Sequence, residues 1–227
     1  MNCFRWLNAV VVSGLLLGCQ DAGEVEAIAK KPAPPLTPNY AVICTACHGP
    51  TGEGNAELGA PSIAGLPAWY VSSQLEKFRS GLRGFHAEDL HGQQMRAIAL
   101  TLDESSLGSI SEEVAAWPPH LPEVVGTPQQ IAQGRKIYAR LCMECHRYNG
   151  SGDQFFQSAT LTGLSGEYHQ RQLEHFRDGL RGVDPVDVPG QKMAKVASWL
   201  SQEKIEAVSA YLTALANGDD PRSEMER

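Results

Sequence analysis

Cys44-Thr45-Ala46-Cys47-His48 and Cys142-Met143-Glu144-Cys145-His146 are the same five-residue pattern written twice, 98 residues apart. On a helical turn, positions i, i+3 and i+4 share a face. Both thiols of such a turn can reach the two vinyl groups of one porphyrin while the following imidazole points at its iron, so each copy reads as a covalent attachment site for c-type haem. A redox dithiol would call for a βαβ setting, and a zinc ribbon for a second cysteine pair roughly 15–20 residues away. Neither matches here. Two copies imply two covalently bound c-type haems, with Cys44, Cys47 and His48 holding one and Cys142, Cys145 and His146 the other.

Upstream, Arg5 precedes an apolar run from Trp6 to Leu17 that is too short to span a bilayer by itself. It ends in Leu16-Leu17-Gly18-Cys19, which resembles the bacterial lipobox. Residues 1–18 are therefore expected to be a lipoprotein-type signal peptide, with Cys19 acylated; an ordinary cleaved signal or an uncleaved anchor are the alternatives. Cys3 then leaves with the signal, and the four motif cysteines carry porphyrin, so none remains for a disulfide. Residues 19–38 contain Lys30-Lys31-Pro32-Ala33-Pro34-Pro35 and Pro38 without apolar periodicity, the signature of a semi-rigid tether. The net charge of -7 becomes more negative once Arg5 is removed and haem propionates are added. Nucleic acid is excluded as a partner, and the expected membrane association comes from the lipid anchor rather than from charge.

The offset of 98 aligns far more than the haem motifs. Tyr40 falls on Tyr138, Gly52 and Gly54 on Gly150 and Gly152, Gly65-Leu66 on Gly163-Leu164, and Tyr70 on Tyr168. Gln74-Leu75 falls on Gln172-Leu173, and Gly81-Leu82-Arg83-Gly84 on Gly179-Leu180-Arg181-Gly182, with no gap. The chain is thus divided into a first domain at 39–117, a Pro-rich linker at 118–127, a second domain at 128–217 and a polar tail at 218–227. Each domain reads as helical. Thr127-Pro128-Gln129-Gln130 is a capping box that starts a helix running into Cys142. Pro67 and Gly81 bracket a second helix, repeated from Glu167 to Gly179, and a third starts near Asp103 and Ser201. In the last of these, Ile205, Val208, Leu212 and Leu215 form an apolar stripe. No period-2 run argues for a strand. Domains this small have a limited side-chain core, so the porphyrin must supply much of the buried apolar surface.

An electron-shuttling haem iron needs a second axial ligand, usually Met or His. Met95 and Met193 each follow their motif histidine by 47 residues, in matched Gly-Gln-x-Met segments that read as polar loops. They are the expected ligands. Met143 sits inside a motif, Met1 is processed off and Met225 lies in the tail. His86, His91, His169 and His175 lack matched histidines in the other copy and read as ordinary polar or surface residues; His120 is in the linker. Arg79, Arg83, Arg177 and Arg181 read as solvated helix ends complementing the helix dipole, with pairing to haem propionates as the alternative.

With these residues in place, residues 39–216 resemble the class I cytochromes c, specifically the dihaem cytochrome c4 family. The resemblance implies an all-α fold of two tandem cytochrome c domains, each wrapped around one covalent haem. It also implies an electron carrier between a quinol-oxidising complex or dehydrogenase and a terminal oxidase, on the periplasmic side of a bacterial membrane. A proline after the motif commonly offers its carbonyl to the proximal histidine in such folds; Pro61 suits this role, and its repeat partner is Ala159. A dedicated subunit of a larger redox complex is the alternative function. A dihaem peroxidase fits less well, because it needs an iron open to substrate.

Overall fold

The computed structural model describes residues 38–219, side chains from Tyr40 onward; the signal, Cys19 and most of the tether lie outside the described residues. Helices α1 (Pro38–Ile43), α2 (Thr45–His48), α3 (Ala68–Ser80), α4 (Leu90–Ala99) and α5 (Glu104–Ala116) make the first half. The second repeats them as α6 (Pro128–Leu141), α7 (Met143–His146), α8 (Gly166–Arg177), α9 (Val188–Ala197) and α10 (Gln202–Ala216). No strand occurs among the described residues; isolated bridges Asn55–Ala60 and Asp153–Ser158 close equivalent loops in the two halves.

Local chemistry places most of these boundaries. Thr127 caps α6, accepting from the Gln130 N–H, while the Gln130 side chain accepts from the Thr127 N–H. Asp103 and Ser201 cap α5 and α10, and Gly81 ends α3 in the left-handed region at φ 79°. The segments carrying Met95 and Met193 are helices, not the loops expected from their polar composition. Asp89 and Asp187 accept from the N–H of Gly92 and Gly190, and these caps start α4 and α9. Pro189, in the first turn of α9, is compatible with that start.

In the first half, α3 packs on α4 and α5, and in the second α8 packs on α9 and α10 while α6 crosses α10. Tyr40, Val71, Leu75, Leu107, Ile110, Val114 and Trp117 form one core; Tyr138, Val208, Tyr211, Leu212 and Leu215 form the other. The stripe on α10 is buried as its periodicity requires. Tyr40 meets Trp117 edge-on at 4.6 Å, and in the second half Tyr138 meets Tyr211 at 5.4 Å. The linker lies against the second half, where the Val125 N–H donates to Thr213 Oγ1 and Asn217 Nδ2 donates to the Pro122 carbonyl.

His169 is not a surface residue. It is buried on α8, at the position that Val71 fills in the first half, with Nε2 2.9 Å from the Leu161 carbonyl. Burial pushes its pKa down to about 4, against the opposing pull of that carbonyl. A histidine held neutral below its unfolded pKa of about 6.5 stabilises the fold at higher pH, and that stability is lost as pH falls from about 6.5 toward 4. At about 1.4 kcal/mol per pH unit, the loss approaches 3 kcal/mol. Denaturant titrations of the haem-loaded protein at pH 7 and pH 4.5 should show a steeper loss for the wild type than for His169→Val, which restores the first-half residue; equal losses would refute the assignment.

Candidate functional site

Each haem-binding turn is held from both ends. Cys44 and Cys142 terminate the preceding helical segments, and the next residues begin the single turns α2 and α7. Tyr40 Oη donates to the Gly49 carbonyl at 2.9 Å, and its counterpart Tyr138 donates to the Arg147 carbonyl at 2.5 Å, tying the far end of each turn back to the helix before it. None of the four thiols is in a disulfide. Burial, with Glu113 and Cys47 adding, pushes Cys44 up to about 11, and burial together with Cys145 pushes Cys142 up to about 12. Cys47 and Cys145 are exposed.

The imidazoles are buried and oriented alike. His48 Nδ1 lies 2.9 Å from the Pro61 carbonyl, and His146 Nδ1 lies 2.8 Å from the Ala159 carbonyl. A carbonyl only accepts, so Nδ1 carries the proton and Nε2 keeps the free lone pair that a metal requires. Burial lowers both histidines' pKa against the opposing carbonyl bond and keeps the rings neutral. The carbonyls can come this close because Gly54 and Gly152 leave room: a Cβ at Gly54 would lie 2.7 Å from the Pro61 carbonyl carbon, and one at Gly152 2.5 Å from that of Ala159. Both glycines are in the left-handed region, at φ 86° and 71°. The exchange of Pro61 for Ala159 leaves the hydrogen bond intact. One feature is confined to the second site: Ser158 Oγ donates to the Cys145 carbonyl at 2.6 Å, where the first copy has Ala60.

Met95 and Met193 sit at the same register of α4 and α9, both half-buried, and Met95 packs on the first core. Unpaired thiols, neutral imidazoles with a free Nε2, and a thioether in each half form a donor set suited to c-type haem.

The paired arginines divide into two kinds. Arg79 and Arg177 lie at helix ends, pairing with Glu104 and Asp178. Arg83 and Arg181 are not solvated: they are 7% and 8% exposed and cross between the halves. Arg83 donates to Gln74 Oε1 in its own half at 3.1 Å, and to Tyr168 Oη at 2.9 Å and Gln172 Oε1 at 3.0 Å in the other. Arg181 reciprocates, donating to Gln172 Oε1 at 2.5 Å and to Gln74 Oε1 at 2.9 Å. Each guanidinium also lies over a phenyl ring, Phe78 or Phe176. These hydrogen-bond acceptors are all neutral, and the buried Asp89 carboxylate acts on Arg83 from nearby, so the two guanidiniums make a buried cationic centre that is offset in part. Burial would raise the Tyr168 pKa, but Arg83 and Arg181 bring it below its ordinary value.

Around this centre the repeat is unequal. Lys77 Nζ bonds Asp187 Oδ1 at 2.6 Å, whereas the equivalent pair, His175 Nδ1 and Asp89 Oδ1, stands 3.5 Å apart. Burial lowers the His175 pKa, and Arg171, Arg181 and Arg83 add to that against the pull of Asp89. The second contact is therefore not a charged pair at neutral pH. Sequence reasoning passed over Asp89 and Asp187, although they match at the same offset and stand three residues before a glycine, the spacing of a helix cap.

Two helical halves, each with an oriented Cys-x-x-Cys-His turn, define a dihaem c-type cytochrome. The sequence profile of cytochrome c matches residues 40–107 and again 131–216. Cytochrome c4 of Stutzerimonas stutzeri is 31% identical over 224 residues, covering 92% of this chain and 100% of that protein. A protein named thiosulfate dehydrogenase electron acceptor, from Thiomonas intermedia, is 29% identical over 78% of this chain and 80% of its own. The crystal structure of reduced recombinant cytochrome c4 from Pseudomonas stutzeri superposes with a TM-score of 0.64 at 27% identity, over 76% of this chain and 93% of that one. The chain belongs to the cytochrome c family, as a dihaem protein of the cytochrome c4 group, and its cofactors are two covalently bound c-type haems.

Proposed function

We propose that this protein carries electrons on the periplasmic side of a bacterial membrane, between a quinol-oxidising complex or dehydrogenase and a terminal oxidase, tethered through a lipid on Cys19. The reading is supported above all by the matched donor sets. Cys44 and Cys47 would fasten one porphyrin and Cys142 and Cys145 the other, with His48 and His146 offering Nε2 and Met95 and Met193 a thioether as ligands to the iron. The haems supply reversible one-electron chemistry. The protein's part is to orient the imidazoles through the Pro61 and Ala159 carbonyls, to exclude external ligands with the thioethers, and to set the spacing between the halves. Arg83 and Arg181 offer their buried charge to the propionates, with Gln74, Gln172 and Tyr168 holding the guanidiniums in place.

The thiosulfate dehydrogenase electron acceptor among the relatives favours a dehydrogenase as donor. Purified oxidised protein mixed with thiosulfate dehydrogenase and thiosulfate, or with a quinol-oxidising complex and quinol, should be reduced at both haems by at least one of the two. It should then be reoxidised by a terminal oxidase at a rate that supports turnover. Rapid turnover of hydrogen peroxide by the reduced protein would instead show an iron open to substrate and overturn the carrier reading. Copurification from solubilised membranes separates a lone carrier from a subunit, which would stay in a stoichiometric complex. Among the described residues no helix is long and apolar enough to cross a membrane; mass spectrometry of the mature protein tests acylation of Cys19.

A further inference from the structure

The second half carries a surface cleft with no chemical counterpart in the first. It is lined by Gln133, Lys136, Ile137, Arg140 and Leu141 of α6, by Trp199 after α9 and by Lys204 of α10. No carboxylate lines it. Trp199 is 52% exposed, Lys195 lies over its ring at 5.8 Å, and Lys204 Nζ stands 3.5 Å from its carbonyl. Three cations therefore line the cleft with Trp199 and a fourth, Lys195, lies over its ring, on a chain whose net charge is -7. The repeat-equivalent positions of Lys136, Arg140, Lys195, Trp199 and Lys204 are Pro38, Val42, Ala97, Thr101 and Ser106, none of them charged or aromatic. The internal duplication makes the first half a built-in reference: the fold needs neither these charges nor this ring.

Position gives the cleft its use. Leu141, which lines the cleft, is bonded directly to Cys142, so the cleft adjoins the second haem-binding turn. We infer that this cleft is the docking site for an acidic protein surface of a redox partner, which exchanges electrons with the second haem. The inference rests on the carrier reading above. Charge complementarity names the occupant: carboxylates on the partner meet Lys136, Arg140, Lys195 and Lys204, while a half-exposed indole beside cations provides the apolar contact that such interfaces centre on. The concave shape, with Ile137 and Leu141 in its lining, suits a protruding protein segment better than the flat face of a bilayer.

The test uses the haem-loaded protein and an acidic [2Fe–2S] ferredoxin as probe, in stopped-flow electron exchange across a range of ionic strength. The triple variant Lys136→Gln, Arg140→Gln, Lys204→Gln should lower the second-order rate at low salt by about 10- to 100-fold and abolish its decline with salt, since steering of this kind raises association by 10 to 10³. Trp199→Ala should lower the rate at every salt concentration. The matched variant Val42→Glu, Thr101→Glu, Ser106→Glu makes the same three-unit change in net charge on the first half and should act several-fold less. Equal effects of the two triple variants would reduce the cleft to net charge and overturn the inference, as would an unchanged rate in the cleft variant. Sedimentation with phosphatidylglycerol vesicles, retained by wild type and lost in the cleft variant, would overturn it in favour of a lipid surface. Both variants should keep wild-type midpoint potentials and wild-type reduction by dithionite. Failure of the wild type to be reduced and reoxidised at all would instead remove the carrier reading beneath it.

Discussion

Gly134→Val is expected to unfold the second half of the protein, with loss of much of its helical signal and of the thioether-to-iron charge-transfer band of one haem. Gly134 lies where α6 crosses α10, and the two backbones touch there: a Cβ would overlap the Ala207 carbonyl oxygen and lie 2.7 Å from Tyr211 Cβ. The obstacle is backbone, which no rotamer change can clear, so the crossing must open and Tyr138, Val208 and Tyr211 must separate with it. Alanine would gain about 1 kcal/mol of helix propensity against an overpacking cost of about 1–3 kcal/mol. Valine forgoes most of that gain and adds two methyl groups, for a net loss on the order of 4 kcal/mol, comparable with the whole stability of a marginal domain. Gly108 is the control. It lies on the exposed face of α5 with nothing within 4 Å of its missing Cβ, and Gly108→Ala should stabilise the first half by about 1 kcal/mol. Thermal melts followed by far-ultraviolet circular dichroism check both; a wild-type midpoint for Gly134→Val would show that the crossing is more compliant than its geometry implies.

What could be read from the chain alone was whatever depends on local chemistry or on repetition. The Cys-x-x-Cys-His turns, the capping box at Thr127, the bracket of α3 by Pro67 and Gly81, and the stripe on α10 each need only a few neighbouring residues to be recognised. Helices α4 and α9 escaped because their residues are polar and contain glycine; what starts them is one aspartate hydrogen bond each, from Asp89 and Asp187, and what keeps them is packing on α3 and α8. The arginines escaped for a different reason. Arg79 and Arg83 are four residues apart near one helix end, yet one faces solvent beside Glu104 and the other is enclosed by Gln172 and Tyr168 of the opposite half. Only the docking of the two halves distinguishes them, and no periodicity within one half encodes it. His169 likewise differs from Val71 by what α8 encloses, not by its neighbours in sequence.

Met193→His should lower the midpoint potential of one haem couple by on the order of 0.2 V, and Met95→His should do the same to the other, out of the ~0.8 V that axial ligands can span. A thioether favours ferrous iron, whereas imidazole is the stronger donor and favours ferric, which fixes the sign. Because the two methionines occupy the same register of α4 and α9, the two variants should be near mirror images in a spectroelectrochemical titration, each displacing one couple and removing half of the charge-transfer band of the ferric protein. Residual inequality between them cannot come from the proximal hydrogen bond, since Pro61 and Ala159 deliver carbonyls at 2.9 and 2.8 Å. The expected sources are two features of the second half: the Ser158 hydroxyl on the Cys145 carbonyl, and the buried His169 that replaces Val71. Ser158→Ala, which restores the first-half residue, should therefore move the second couple toward the first, while Ala159→Pro should leave it nearly where it is. The reverse pattern would return the asymmetry to the proximal carbonyl. An unshifted couple in Met193→His, with the charge-transfer band complete, would remove Met193 from the iron altogether.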